Sequence, residues 1–521
     1  MLAAAVVLFV LTWPLEKRHL FLTPYSFITG AYTESGTIAL YVSDLFFILA
    51  GIAWMWWRVG KHGSVWQKRE VKNSGTDVAT PLVVPTGTFV PTGTFVIREF
   101  IRAVRISPLL IVPAGTFCTW AFMRAMPLHP SLLGWYAAVR VAQGFFLFLV
   151  ASDIWNTKLL RTVALLSIVS AGIIQSLLGA AQVVRGSDLG LTFIGEHNLF
   201  LLEPGVAKVE LLASVLRGPS VVNAQLDPRP PNASGTNVPV GTRILRAYGT
   251  FQHPNVLGAL LIISMVSLWG LLMRGDQHGN KWNPFLFPIS SAIISSGLFL
   301  TFSRSAWLSL ALTSIAVLLL PGVVSLTKSV IFIIIPSVAI VSVLLSNPTL
   351  RHAAQSRVYP PKQDAFLSGR LQSYSDSYEL IRRNFFLGVG VGNGVNEITR
   401  KYRNDADDGM SVVKRIERER EPWEFQYPHS FPLVILLELG FVGLTLLGYV
   451  VYVVLARFVR LLFALSLFHR NSVFLLALAG GATLLLTDHY LWTTQQGRIM
   501  FWGVLGVLAS LPRARTLLRD A

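Results

Sequence analysis

Residues 246–265 read RAYGTFQHPNVLGALLIISM. Arg246, His253, Pro254 and Asn255 stand immediately ahead of an apolar run of about twenty residues, the length a helix needs to cross a bilayer. Polar groups in hydrocarbon are costly, so a polar cluster abutting such a run is either a helix-end device or a site. Runs of the same kind fall near 39–57, 106–126, 131–153, 160–184, 285–302, 304–323, 329–346, 430–456, 472–490 and 497–511, and a shorter one covers Met1 to Trp13. With the run after His253 they predict an all-α, polytopic membrane protein of about twelve transmembrane helices. Composition agrees, with 53% hydrophobic and only 14% charged residues. The Met1–Trp13 run resembles a signal-peptide core but has no basic n-region or clear cleavage site, and is read as a retained helix.

The single cysteine, Cys118, excludes an intrachain disulfide framework and any Cys-rich zinc or iron–sulfur site. The net charge of +17 would suit nucleic acid if the basic residues formed a patch. They do not. Arg58, Lys61, Lys68 and Arg69, then Lys158 with Arg161, Arg274 with Lys281, Lys328, Arg457 with Arg460, and Arg513 with Arg515 all fall on one side when the spans alternate. By the positive-inside rule that side is the cytoplasm, so the charge is topology and no nucleic-acid partner is expected. The chain then divides into N-terminal transmembrane helices (1–184), a first long outer loop (185–252), central helices (253–346), a second long outer loop with short helices (347–428) and C-terminal helices (429–521).

Within the outer loops, LDPRPPNASGTNVPVGT is turn chemistry. Leu371, Tyr374, Tyr378 and Ile381 recur at helical spacing and predict a short amphipathic helix on the membrane surface or over the bundle. SVVKRIERERE reads as a solvated helical face. Gly388, Gly390, Gly392 and Gly394 invite a dinucleotide reading, which the lack of a βαβ unit rejects. The VPTGTFVPTGTFV duplication at 84–96 sits in the first basic loop and suggests no chemistry.

Topology brings distant polar residues to one depth at the outer face. His253 and Asn255 begin one span, Arg304 stands in the tight turn of TFSRSAWLSL, His429 and Ser430 begin another span, and Asp488 and His489 lie at the same level. Two readings stay open for each. Pro254 is a common first helical residue and His253 a possible cap; Arg304 is a snorkelling side chain or an anion ligand; Ser430 is an N-cap or a site residue beside His429. Glu438, inside the span after His429, must be used or paired. Arg370 by composition is an ordinary loop arginine. No metal-ligand spacing is legible, and no cofactor is expected. Arginine forks suit a diphosphate and histidine can take a hydroxyl proton near neutral pH, a pairing of functions that needs no metal.

The ordered set GTFQHPNVLGALL, SRSAWL, SGRLQSY followed by FFLGVGVGNG, and HSFPLVILLELGFVGL resembles the motifs of the O-antigen ligase superfamily over roughly 245–445, and DHYLWTTQQGRIMFW resembles its tail. The resemblance implies an inner-membrane glycosyltransferase of the membrane-embedded GT-C type, facing the periplasm. It would take a glycan from undecaprenyl diphosphate and pass it, with inversion and without a metal, to a hydroxyl of lipid A core, another glycan or a protein. It also implies that Arg304 binds the diphosphate, that Arg370 and Arg246 assist with His253, Asn255 and Ser430 nearby, and that His429 is the base. O-antigen polymerase and protein O-oligosaccharyltransferase share this donor chemistry, and membrane lipids are partners of all three. A polyprenyl-linked sugar flippase is the rival from another class. It would place polar groups near the midplane and show repeated halves, whereas these residues gather at one face.

Overall fold

The computed structural model describes residues 1–22, 27–28, 31–32, 37–73, 108–125, 132–200, 206–210, 243–275, 285–318, 334–358, 365–407, 426–464 and 488–510. It is mostly helical. The helices are α1 (Leu2–Thr12), α2 (Val42–Asn73), α3 (Pro108–Ala125), α4 (Leu132–Trp155), α5 (Lys158–Arg185), α6 (Pro254–Gly275), α7 (Leu286–Leu300), α8 (Arg304–Leu318), α9 (Ile335–Ser346), α10 (Pro348–Val358), α11 (Ala365–Arg383), α12 (Gly394–Asp407), α13 (Phe431–Ala464), α14 (Tyr490–Thr493) and α15 (Gln495–Ala509). A helix stands on each apolar run named above except 472–490, which lies outside the described residues but for its last three. Four segments are long and apolar enough to cross a membrane: Leu133–Trp155, Lys158–Arg185, Pro254–Leu272 and Phe431–Arg457. The 84–96 repeat, LDPRPPNASGTNVPVGT and SVVKRIERERE also lie outside the described residues.

One expectation needs correcting. The chain is not all helix, because three two-stranded antiparallel sheets pair β1 (Arg18–Phe21) with β4 (Ile38–Tyr41), β2 (Phe27–Ile28) with β3 (Ala31–Tyr32), and β5 (Lys208–Glu210) with β6 (Arg243–Leu245). The physical reason is local. The segments at 18–41 are short, rich in aromatic and β-branched residues, and bury alternate side chains, which suits a half-exposed pleat rather than a helix.

Helix packing follows from small residues at the contacts. α4 lies along α15, where a Cβ added to Gly144 would fall 2.2 Å from the Trp502 ring. α5 packs on α6 and α7, with Gly297 against Ser176. Such close approach favours association where lipid tails are as apolar as the side chains. On α2, Leu45, Ile48, Leu49, Ile52, Met55 and Trp56 stay exposed at helical spacing, the face a hydrocarbon solvent would cover.

The Gly-rich run and Glu438 meet at a break in α13. Gly440 there has φ 68° and ψ −173°, a conformation open to glycine, and its helix is interrupted to admit residues 385–390. Val389 N donates to Leu437 O (2.8 Å), Gly390 N to Glu438 O (2.9 Å), and Phe441 N to Phe385 O (2.7 Å). The indole of Trp120 donates to Leu439 O (3.0 Å), and Arg124 to Gly388 O (2.9 Å). Backbone groups freed by the break are thus satisfied by protein, the condition under which irregular backbone is tolerated at membrane depth. A Cβ on Gly388 would lie 2.4 Å from the Glu438 backbone, so the glycines serve close packing.

The outer helix around 371–381 is present as part of α11, but its expected face is not the buried one. Leu371 and Tyr378 are exposed, whereas Ser373, Ser377 and Leu380 are buried. Leu380 joins a small core with Val389, Val395, Ile398 and Leu437, so α11 is anchored to the α13 break.

Candidate active site

The segment leading into α6 is held from below by α5. Gln182, two turns after Gln175, accepts from Gly249 N (2.8 Å) and donates to Gly249 O (2.7 Å), while Gln175 accepts from Thr250 N (2.9 Å). Thr250 Oγ1 donates to Pro14 O at 2.6 Å. This fixes Arg246, which is 4% exposed. Its Nε donates to Thr301 O (2.7 Å) in the α7–α8 turn, and one terminal nitrogen donates to Asn255 Oδ1 (2.8 Å). Burial, followed by the nearby charge of Arg357, pulls its guanidinium below the ordinary arginine value. Arg357, which no motif or spacing singles out, donates its Nε to Phe302 O at 3.2 Å. Phe302 is the only non-glycine residue with positive φ (47°) among the described residues. Two arginines therefore grip consecutive carbonyls of the turn that presents Arg304.

Asn255 continues the chain of contacts. Its Nδ2 donates to Asp488 Oδ2 at 2.8 Å, and its backbone N–H donates to His253 Nδ1 at 3.1 Å. His253 is therefore a helix cap through its ring, as one of its two readings expected, and it also stacks on Tyr490 with centroids 4.3 Å apart. Burial, then the Arg246 charge, holds its pKa well below the usual histidine value. Asp488 Oδ1 accepts from His489 N (2.8 Å) and lies 3.7 Å from His429 Nδ1, an ion-pair distance rather than a hydrogen bond.

His429 is positioned from two sides. Tyr374 Oη on α11 donates to its carbonyl at 3.0 Å, a role hidden when Tyr374 is read only as an apolar position. Ser430 follows at the N-cap of α13, its carbonyl accepting the Val434 amide at 3.1 Å. Glu438 is 1% exposed and paired, accepting from Tyr427 Oη (2.6 Å) and Trp492 Nε1 (2.8 Å). It links the stretch before His429 to α14 and has a bracing role. Arg370, one turn before Tyr374 on α11, makes its charge felt at His489 and Tyr490. Arg304 is exposed at the first position of α8, and its neighbours Ser305 and Ala306 line one small cavity with Asn255, Asp488 and Tyr490.

The structure thus brings Arg246, His253, Asn255, His429, Asp488 and His489 into one contact network, puts Arg370 within electrostatic reach, and leaves Arg304 at the rim. His429, Asp488 and His489 also offer atoms able to hold a metal. Such an assembly can fix an anion and accept a proton from a hydroxyl. A search among curated proteins returns no match. The family model described as O-antigen ligase matches residues 289–448. That stretch holds Arg304, Arg370 and His429, so over the part of the chain that carries these three residues it is similar to the O-antigen ligases.

Proposed function

We propose that this membrane protein is a metal-independent, inverting glycosyltransferase that moves a glycan from undecaprenyl diphosphate to an acceptor hydroxyl at the periplasmic face of the inner membrane. The observation that carries this reading is His429 set 3.7 Å from Asp488 beneath a rim of arginines. With the Nδ1 side of His429 turned to the carboxylate, Nε2 is the atom assigned the acceptor proton as the hydroxyl oxygen attacks the anomeric carbon. The new glycosidic bond forms on the face opposite the diphosphate, the bond from the anomeric carbon to the phosphate oxygen breaks, and undecaprenyl diphosphate leaves. Arg304 and Arg370 carry the charge that grows on the leaving group, with Arg246 adding its buried field while holding Asn255 and the Arg304 turn.

A hydrocarbon-bearing donor is supported by a second feature. An apolar cavity of about 160 Å³ lies between α1, α2, α4, α5, α6 and α15, lined by Trp13, Phe146, Val150, Ile263 and Met500 among others. Met500 also lines the small cavity beside Asn255 and Asp488, so apolar space begins next to the polar site. O-antigen ligation to lipid A core is the acceptor reading adopted here. Repeat-unit polymerisation and transfer to protein use the same donor end.

The test is incubation of purified protein with an undecaprenyl-diphosphate-linked oligosaccharide and, separately, lipid A core, a second lipid-linked glycan and a protein acceptor. Transfer with inversion at the anomeric carbon is expected. Movement of donor across a liposome bilayer without any transfer would replace this reading with the flippase.

A further inference from the structure

One donor atom from each of His429, Asp488 and His489 lies within 4.8 Å of the other two, the only such group of His, Cys, Asp or Glu among the described residues. The rings of His429 and His489 are 5.0 Å apart. His489 is 7% exposed, and its Nε2 is buried with no hydrogen-bond partner among the described residues. Its other nitrogen has a defined state. His489 Nδ1 lies 2.9 Å from Thr493 Oγ1, which is also 3.3 Å from His489 O; with the hydroxyl directed at that carbonyl, the ring proton is on Nδ1 and Nε2 keeps its lone pair. A lone pair buried this way needs a partner.

We propose that His429, Asp488 and His489 form a binding site for one divalent transition-metal ion of the zinc class, and that its occupancy switches His429 off as a base. Two neutral imidazoles and one carboxylate are a ligand set for such an ion with a fourth position left open. Zinc bonds of ~2.1 Å are reached from these positions by shifts of about an ångström or less. The groups behind the ligands are already in place, Thr493 on His489 and Asn255 Nδ2 on Asp488 Oδ2 at 2.8 Å. The switch follows from the imidazole itself. When the Nδ1 lone pair of His429 binds the ion, its proton sits on Nε2 and no lone pair remains to accept another. This second half rests on the role given to His429 above.

The probe is Co(II), titrated into the purified full-length protein in detergent, followed by competition with Zn(II). The expected result is visible-range absorption that saturates at one equivalent. His489→Ala should weaken binding by about 100-fold or more, and Thr493→Val, which removes only the group behind the ligand, by roughly 10-fold. Should His489→Ala fail to fold, the Thr493→Val comparison carries the same test. No saturable binding, or affinity unchanged in both variants, overturns the site. In turnover assays saturating Zn(II) should lower the rate at least about 10-fold, reversibly with EDTA, as expected for loss of a general base. Full occupancy with unchanged turnover overturns the switch and counts against His429 as the base. Absence of metal binding with product still formed in EDTA overturns the site and leaves the glycosyl-transfer reading standing.

Discussion

Two regions of this protein bury charge near the ends of its helices, and they do it differently. In the first, Asp44 of α2 and Arg140 of α4 form a set closed around the carboxylate. Asp44 Oδ1 accepts from Arg140 (2.5 Å), Gln143 (2.9 Å) and Gln495 (3.2 Å), and Oδ2 accepts from Arg140 (2.8 Å) and Tyr41 N (2.9 Å). Arg140 also donates to Ala39 O and lies 4.8 Å from the Tyr136 ring centroid. In the second, His429 and Asp488 stand 3.7 Å apart, and beside them is His489 Nε2, which has no hydrogen-bond partner among the described residues. The first region joins α2, α4 and α15 and leaves its carboxylate little capacity for a ligand. The second keeps capacity in reserve. The number of donors already on the carboxylate, five on Asp44 against two on Asp488, more than burial or residue type, separates a brace from a site.

The largest effect expected from breaking this contrast is catalytic. His429→Ala should lower turnover by roughly 10² to 10⁴ while donor binding stays nearly intact, read by single-turnover rates paired with a titration of lipid-linked donor. Loss of donor affinity instead would move His429 into the diphosphate pocket. Next comes the closed set. Arg140→Ala leaves Asp44 buried without its cation, and removing one partner of a buried pair costs about 3–5 kcal/mol. Thermal unfolding in detergent should show the loss, and an unaltered melting temperature would mean that this pair is not a brace.

A smaller effect is expected at the rim. Arg304→Ala should weaken donor binding as well as rate by roughly 10- to 100-fold, the worth of a charged hydrogen bond. Arg304→Lys should recover only part of it, because a point charge does not reproduce the fork. Full recovery by lysine would reduce Arg304 to a general field. The smallest expected effect is none at all: turnover should continue in EDTA, since the arginines supply the positive charge. Activity lost on chelation and restored by magnesium or manganese would assign the open cluster a metal in catalysis.

Much of this arrangement was legible along the chain, and the limit of legibility is physical. Apolar runs of helical length, basic loops and the polar residues ahead of Pro254 and Phe431 are local signals, set by what hydrocarbon and water tolerate at each position. They sufficed for most of the helices and for the common level at which His253, Asn255, His429 and Asp488 meet. The four strand segments between Arg18 and Tyr41 were missed because they are short and their alternation spans few residues.

What the tertiary structure alone decided concerns pairs far apart in sequence. By position alone Glu438 reads equally as an acid in use or a paired one, and its bonds to Tyr427 and Trp492 make it a brace. The run of glycines is explained by its packing against the α13 break at Gly440. Arg246, expected at the diphosphate, spends its donors on Thr301 and Asn255, while Arg357 grips the next carbonyl along. The grouping of His429 with Asp488 and His489 has no counterpart in linear spacing. Periodicity reports which face of a helix is apolar, because that depends on neighbours three and four residues away. Which donor meets which acceptor depends on how separate helices pack, and that is fixed only when they are assembled.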